Sequence, residues 1–65
     1  MAVPQMSKCS QPIETGVLCP GTIETQTRYA FRSRGQKCVK MEYGGCGGND
    51  NNFKTEEECR SACLR

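Results

Sequence analysis

The chain has 65 residues, of which 35% are hydrophobic and 6% aromatic, and its formal net charge is +2. A chain this short forms one domain at most, and it buries too little apolar surface for a hydrophobic core alone to stabilise it well. The mild charge excludes a strong polyanion binder and hence a nucleic-acid partner, and the absence of a long apolar run excludes insertion into a membrane.

The first third of the sequence predicts little regular structure. Residues 1–8 are polar, contain a proline and show no hydrophobic periodicity. We expect them to form a flexible N-terminal arm, and we expect the folded domain to span residues 9–63. Residues 10–21 are rich in proline and glycine, which is typical of a loop.

Two strands are predicted in the middle of the chain. Residues 23–32 contain Ile, Thr, Tyr and Phe in rough alternation, and residues 37–43 alternate more strictly. The four residues between them supply a turn, so the two strands form an antiparallel hairpin. Residues 44–48 hold four glycines around one cysteine. We expect this segment to be a loop with unusual backbone angles rather than regular structure.

A short helix is predicted over residues 56–64. Thr55 and Glu58 have the spacing of a capping box, in which the threonine hydroxyl accepts from an N–H of the first turn and the glutamate reaches back. Cys59 and Cys63 lie four residues apart, so their sulfurs share one face of the helix. Since a helix of this length does not persist alone in water, disulfides must hold it.

The six cysteines predict three disulfides, because an even count in a short chain is typical of proteins from an oxidising compartment. We therefore expect a secreted protein whose signal peptide has been removed. A zinc site is the alternative, but the chain has no histidine and no C-x2-C pair. We expect no metal and no cofactor. We also expect no enzymatic activity, since a histidine is absent and no thiol should be free.

The cysteine spacing and three segments around it resemble the Kunitz family, that of pancreatic trypsin inhibitor. The spacing is C-x9-C-x18-C-x7-C-x12-C-x3-C, and the segments are RYAF at 28–31, YGGCGGNDNNF at 43–53 and TEEECRSAC at 55–63. The resemblance covers nearly the whole chain between the first and last cysteines. It implies a small disulfide-rich α+β fold, with a twisted two-stranded antiparallel hairpin and a C-terminal helix.

The same resemblance selects one disulfide pairing among the many that six cysteines allow. The implied pairs are Cys9–Cys63, Cys19–Cys46 and Cys38–Cys59. It also implies that Asn51 is buried with its side chain bonded to the backbone, and that Tyr43 supports the neighbouring loop. On the sequence alone, the alternative for Asn51 is a solvated turn residue.

The inhibitory loop of the family is where this sequence departs from the family pattern. The resemblance places the scissile bond at Pro20–Gly21, within the segment Val17, Leu18, Cys19, Pro20, Gly21, Thr22 and Ile23. Trypsin inhibitors carry Lys or Arg where this chain has proline, whose short ring lacks an N–H and cannot probe a deep pocket. The chain also has one extra residue before the second cysteine and three extra residues before Arg28.

These departures predict a target other than a trypsin-like protease. Extra residues on both sides of the aligned bond could form a bulge whose flexibility weakens inhibition, or they could bring another side chain to the tip of the loop. The candidates are Leu18, Thr22 and Ile23, which suit elastase-like or chymotrypsin-like pockets.

The resemblance therefore implies a secreted serine protease inhibitor, monomeric, with a protein as its partner. The alternative is a binding module without inhibitory activity, such as a channel modulator or an antagonist of a receptor or haemostatic protein. Kunitz toxins and salivary proteins of blood feeders are similar to this. That module would use the basic hairpin tip at Arg32, Arg34, Lys37 and Lys40, although a solvated turn accounts for these charges too. A third hypothesis inserts residues 1–8 into a protease cleft.

Overall fold

Besides a hairpin and a helix, the fold has a second, smaller sheet, formed by one short strand before the hairpin and one between the hairpin and the helix. The computed structural model of the protein describes residues 8–64. A 3₁₀ segment at Lys8–Ser10 comes first. The strands and the helix follow in the order β1 (Val17–Leu18), β2 (Gln26–Arg32), β3 (Lys37–Tyr43), β4 (Gly45–Cys46) and α1 (Glu56–Cys63). Both sheets have two antiparallel strands, β2 with β3 and β1 with β4.

The predicted hairpin is present, and β3 has the predicted bounds. Its register runs from Gln26 opposite Tyr43 to Arg32 opposite Lys37. β2 begins three residues later than predicted, at Gln26. The reason is that β3 ends at Tyr43, so residues 23–25 extend beyond the end of their partner strand and stay outside the ladder.

Two loop predictions are wrong in part. The glycine-rich segment 44–48 contains the strand β4, and the predicted loop 10–21 contains β1, which pairs with it. This ladder has two residues on each side and joins parts of the chain 27 residues apart at its disulfide. Such a pairing leaves no periodic pattern in either segment, so local signals do not predict it.

The predicted N-terminal arm lies largely outside the described residues. Its last residue, Lys8, opens the 3₁₀ segment, and its ammonium lies 5.4 Å from the centre of the Phe53 ring. Residues 1–7, and with them the hypothesis of an inhibitory arm, fall outside the part of the chain that the structure describes.

The helix is confirmed, one residue shorter than predicted. The Thr55 hydroxyl accepts from the N–H of Glu58 at 3.1 Å, as the capping box requires. The Glu58 carboxylate accepts from the N–H of Lys54 at 3.4 Å, one residue before the partner that a capping box uses. At the other end, the N–H of Leu64 donates to the carbonyl of Arg60 at 2.8 Å and closes the last turn.

The three disulfides are those that the family resemblance implied. Cys9–Cys63 joins the 3₁₀ segment to the end of the helix, and Cys38–Cys59 joins β3 to the helix. Cys19–Cys46 joins the segment after β1 to β4. Each is expected to stabilise the fold by roughly 2–4 kcal/mol, mainly by restricting the unfolded chain.

The hydrophobic core is small and rich in sulfur. Phe31, Phe53 and Cys59 form its buried centre, and the partly buried residues packed against it are Cys9, Tyr29, Cys38 and Cys63. The backbone of Phe53 exchanges two hydrogen bonds with Tyr29, at 2.7 and 2.8 Å, which fixes the segment before the helix against β2. The disulfides therefore form much of the core as well as crosslinking the chain.

Asn51 is fully buried and connects three parts of the chain. Its side-chain oxygen accepts from the N–H of Phe31 at 2.8 Å. Its side-chain nitrogen donates to the carbonyls of Gln11 and Phe31, both at 2.9 Å. The buried role implied by the family resemblance is confirmed, and the alternative of a solvated turn residue is wrong.

We predict that Asn51→Ala lowers the free energy of unfolding by roughly 3 kcal/mol, because it leaves the N–H of Phe31 and two carbonyls without partners in the interior. Asn52→Ala is the matched control. Asn52 is half-buried and accepts one hydrogen bond, from Arg28, so its loss should cost about 1 kcal/mol or less. Denaturant unfolding of the oxidised proteins measures both changes, and equal losses would contradict the role assigned to Asn51.

Candidate functional site

Residues 17–23 form an exposed end of the molecule that carries apolar side chains. Val17 is 67% exposed, Leu18 is 47% exposed and Ile23 is 89% exposed. Pro20 and Gly21, between them, are exposed as well. Leaving large apolar side chains in water is unfavourable, and a group of them on one loop is typical of a surface that binds a partner.

The backbone of this loop is fixed to β4 at three consecutive residues. Val17 pairs with Cys46, and Leu18 pairs with Gly45. Cys19 then forms its disulfide with Cys46, with a Cα–Cα distance of 5.2 Å. Two residues of β4 thus hold three residues of the loop, and the side chains of Val17 and Leu18 remain exposed.

Close approach of Gly44 makes this anchoring possible. Gly44 is buried, and its N–H donates to the carbonyl of Thr15 at 2.9 Å. A Cβ added at Gly44 would collide with the carbonyl group of Val17 and would lie 2.7 Å from the nitrogen of Leu18. Because those atoms are backbone, they cannot move aside without opening the β1–β4 ladder. Glycine is required at position 44 for space.

The tip of the loop is a reverse turn. The N–H of Thr22 donates to the carbonyl of Cys19 at 2.9 Å, which places Pro20 and Gly21 at the two central positions. Gly21 has a φ of 85°. Proline at the first central position and a positive φ at the second are the features of a type II turn. The bond that the family alignment takes as scissile, Pro20–Gly21, is therefore the central peptide of this turn.

The remaining limb of the loop is tied to the end of the hairpin. The Thr25 hydroxyl donates to the carboxylate of Glu42 at 2.7 Å. Tyr43 confirms the supporting role that the resemblance implied, since its hydroxyl donates to the carbonyl of Gly47 at 2.8 Å. The guanidinium of Arg28 lies 5.3 Å from the centre of the Tyr43 ring. The residues that flank the loop are therefore held by hydrogen bonds and by a cation–π contact of their own.

The basic residues considered for the alternative function lie at the other end of the hairpin. Arg32 and Lys37 are opposite each other at the turn, and Arg34 lies within it. Arg32 donates from Nε to the carbonyl of Arg34 at 3.1 Å, so part of its bonding capacity serves the turn. Lys40 is further along β3, opposite Tyr29. All four side chains are exposed.

All six cysteines are in disulfides. Within residues 8–64, no group of histidine, cysteine or acidic side chains is arranged to hold a metal ion. The same residues contain no helix long and apolar enough to cross a bilayer.

Sequence reasoning missed the residues that hold the loop in place, namely Gly44, Gly45 and the Thr25–Glu42 pair. The run of glycines was a visible signal for a close backbone approach, but nothing in the sequence identified the segment that approaches. The Pro-Gly pair at 20–21 was also a visible signal for a type II turn.

Comparisons with known proteins agree on one family. The model of the Kunitz/bovine pancreatic trypsin inhibitor domain matches residues 8–64. A trypsin inhibitor of Bombyx mori is 52% identical over 56 residues, which cover 86% of this chain and 94% of that protein. The Kunitz-type serine protease inhibitor textilinin-4 of Pseudonaja textilis textilis is 47% identical over 85% of this chain, and the match spans 61% of its own length.

Solved structures show the same fold. An X-ray structure of calcicludine superposes with a TM-score of 0.77 at 33% identity, covering 94% of this chain and 92% of that one. A structure from work on pore-modulating toxins that block K+ channels superposes with a TM-score of 0.78 at 31% identity. It covers 89% of this chain and 92% of that one.

We predict that Gly44→Ala and Gly21→Ala differ in their effects on the loop. Gly44→Ala should lower the free energy of unfolding by roughly 2–3 kcal/mol and speed amide exchange at Leu18, because the added methyl group forces β1 away from β4. Gly21→Ala meets nothing within 4 Å, so its cost should be only the backbone strain, roughly 1 kcal/mol. Denaturant unfolding and amide exchange measure both. A neutral Gly44→Ala would contradict the close approach.

Proposed function

Because the chain belongs to the Kunitz/bovine pancreatic trypsin inhibitor domain family, we propose that it is a secreted inhibitor of serine proteases and that residues 17–23 are its inhibitory loop. The observation that carries the proposal is the combination of exposed apolar side chains with a backbone fixed by β4 and the Cys19–Cys46 disulfide. The protein is an inhibitor and not an enzyme.

Rigidity is what lets such a loop inhibit. A loop that already has its bound shape loses little conformational entropy on entering the cleft of the enzyme, so more of the contact energy appears as affinity. The β1–β4 ladder and the disulfide supply this rigidity on one limb, and the Thr25–Glu42 hydrogen bond supports the other. When a protease cuts the loop, these contacts hold both new chain ends close together, so the peptide bond can form again.

The composition of the loop favours an apolar pocket in the target. Residues 16–27 contain no lysine, arginine or histidine. A trypsin-like pocket carries an aspartate that requires a basic partner, whereas chymotrypsin-like and elastase-like pockets are apolar. We therefore propose a chymotrypsin-like or elastase-like serine protease as the target class, although one relative carries the name of a trypsin inhibitor.

The site of action follows from the same family. Three disulfides are stable in oxidising surroundings, and the relatives include a Kunitz-type serine protease inhibitor of Pseudonaja textilis textilis. We propose that the chain acts outside the cell as a monomer and that its partner is a protein.

A second candidate function uses the other end of the molecule. The structural neighbours include toxins that block K+ channels, and the hairpin tip exposes Arg32, Arg34 and Lys37 together. Cationic side chains on a protruding turn suit an anionic channel mouth. The tip and the inhibitory loop lie at opposite ends of the β2–β3 hairpin, so each can be tested without disturbing the other.

We predict that the oxidised chain inhibits chymotrypsin or elastase at sub-micromolar concentration and leaves trypsin active, because the loop offers no basic side chain to an acidic pocket. Inhibition constants against a panel that also includes thrombin and factor Xa measure this. The control is Cys19→Ser combined with Cys46→Ser, which keeps two disulfides but frees the loop and should weaken inhibition at least tenfold. If the parent chain inhibits none of the proteases in the panel, the proposal is contradicted.

For the hairpin tip, we predict that Arg32→Gln combined with Arg34→Gln abolishes any block of K+ currents, because it removes two exposed cations and no buried contact. The fold should be unchanged, as judged by the unfolding transition. K+ currents recorded in the presence of the parent chain and of the double variant measure this loss of block. Block that survives the double change would exclude the tip as the binding surface.

A further inference from the structure

We infer that Leu18 is the side chain that fills the pocket of the target protease and that Leu18–Cys19 is the bond it attacks. This inference rests on the proposed inhibitory function and names the residue that sets its specificity. It differs from the family alignment, which puts Pro20 in the pocket.

The turn makes Pro20–Gly21 a poor bond for a protease. Serine proteases bind the segment around the scissile bond in an extended form, as an added strand. Here the carbonyl of Cys19 accepts from the N–H of Thr22 at 2.9 Å, and Gly21 has a φ of 85°. Extending this segment would break that hydrogen bond and reverse the turn. The ring of Pro20 would also enter the pocket only to a short depth.

Leu18, in contrast, is already extended and accessible. It lies in β1, opposite Gly45, and 47% of it is exposed although its backbone is paired. Its partner Gly45 carries no side chain, and a Cβ at that position would lie 3.2 Å from the sulfur of Cys19. The leucine side chain is unbranched at Cβ and long enough to reach into an apolar pocket, which fits a chymotrypsin-like specificity.

Both sides of the Leu18–Cys19 bond are held by the same strand. Leu18 is fixed by its pairing with Gly45, and Cys19 is fixed by its disulfide to Cys46, the next residue of β4. After cleavage the new carboxyl end and the new amine would remain beside each other. At Pro20–Gly21, the turn hydrogen bond that holds Thr22 to Cys19 spans the bond itself, so it gives the released amine only a weak tether.

The reversible step balances without any added reactant. The protease serine oxygen attacks the carbonyl carbon of Leu18, and the carbon–nitrogen bond to Cys19 breaks while the enzyme's general base passes the serine proton to the leaving amine. The result is an acyl-enzyme at Leu18 and a free amine on Cys19. Because the disulfide keeps that amine in place, it attacks the acyl group again and restores the peptide bond faster than water removes the acyl group.

The two other exposed apolar residues of the loop are less suited to the pocket. Val17 is branched at Cβ, and the bond after it lies within β1 without a disulfide on its leaving side. Ile23 is also branched, and it lies between the turn and β2, outside the strands of the described residues. Its 89% exposure reflects a side chain at the end of the loop with no strand beneath it.

The decisive experiment moves a basic side chain to each candidate position. Leu18→Arg should gain trypsin inhibition by at least about 30-fold over the parent chain, because a hot-spot contact of that size is formed with the acidic pocket. Pro20→Arg, in the turn, should gain less than threefold. Mass analysis after incubation with trypsin and reduction should find new ends at residue 18 and at Cys19 in the first variant.

A matched truncation tests the parent specificity. Leu18→Ala should weaken inhibition of the chymotrypsin-like enzyme by about 30-fold or more. Leu64→Ala deletes the same atoms from a side chain that is 39% exposed at the end of the helix, and it should leave inhibition unchanged. Unfolding transitions of all variants show that each is folded.

The outcomes separate this inference from the proposed function. Trypsin inhibition by Pro20→Arg but not by Leu18→Arg, or new chain ends at residues 20 and 21, would overturn the inference while the protein remains an inhibitor. If neither arginine variant nor the parent chain inhibits any protease of the panel, the proposed function fails and the inference fails with it.

Discussion

The attachment of the loop to β4 is the constraint on which the shape of the exposed loop 17–23 depends. Gly45 and Cys46 pair with β1, and Cys46 also carries the disulfide to Cys19. Gly44, the residue before them, must lack a side chain so that β1 can come this close. Three consecutive residues, 44–46, therefore fix the backbone of the loop, whereas a larger protein would use a packed core beneath it. The apolar side chains above them can stay in water because the backbone below is fixed.

The rest of the fold keeps β4 in place. Two aromatic rings and a buried sulfur form the core, and so small a core would be marginal by itself. Two disulfides join the helix to the 3₁₀ segment and to β3. Asn51 adds three hydrogen bonds in the interior that connect the segment after β4 to β2 and to Gln11. Covalent and polar contacts thus replace much of the missing apolar burial.

How much the sequence predicts depends on whether the cause is local. The hairpin and the capped helix follow from alternation and from Thr55, and both are confirmed in the structure. The β1–β4 ladder was missed because two-residue strands far apart in the chain carry no pattern. The disulfide pairs came from the family resemblance rather than from spacing. Pro20–Gly21 has the local sequence of the turn that the structure shows, whereas its assignment as the scissile bond came from the family resemblance.

The backbone order of the free loop is the measurement to make first, because inhibition by this loop requires it to be rigid before any protease binds. Nuclear magnetic relaxation of the amide groups of Leu18, Cys19 and Thr22 measures it in the free protein. We expect order parameters of about 0.85 at these residues, equal to those of the β2–β3 hairpin. Values below about 0.6 at these residues would contradict this expectation, because a mobile loop would have to be ordered by the protease at a cost in affinity.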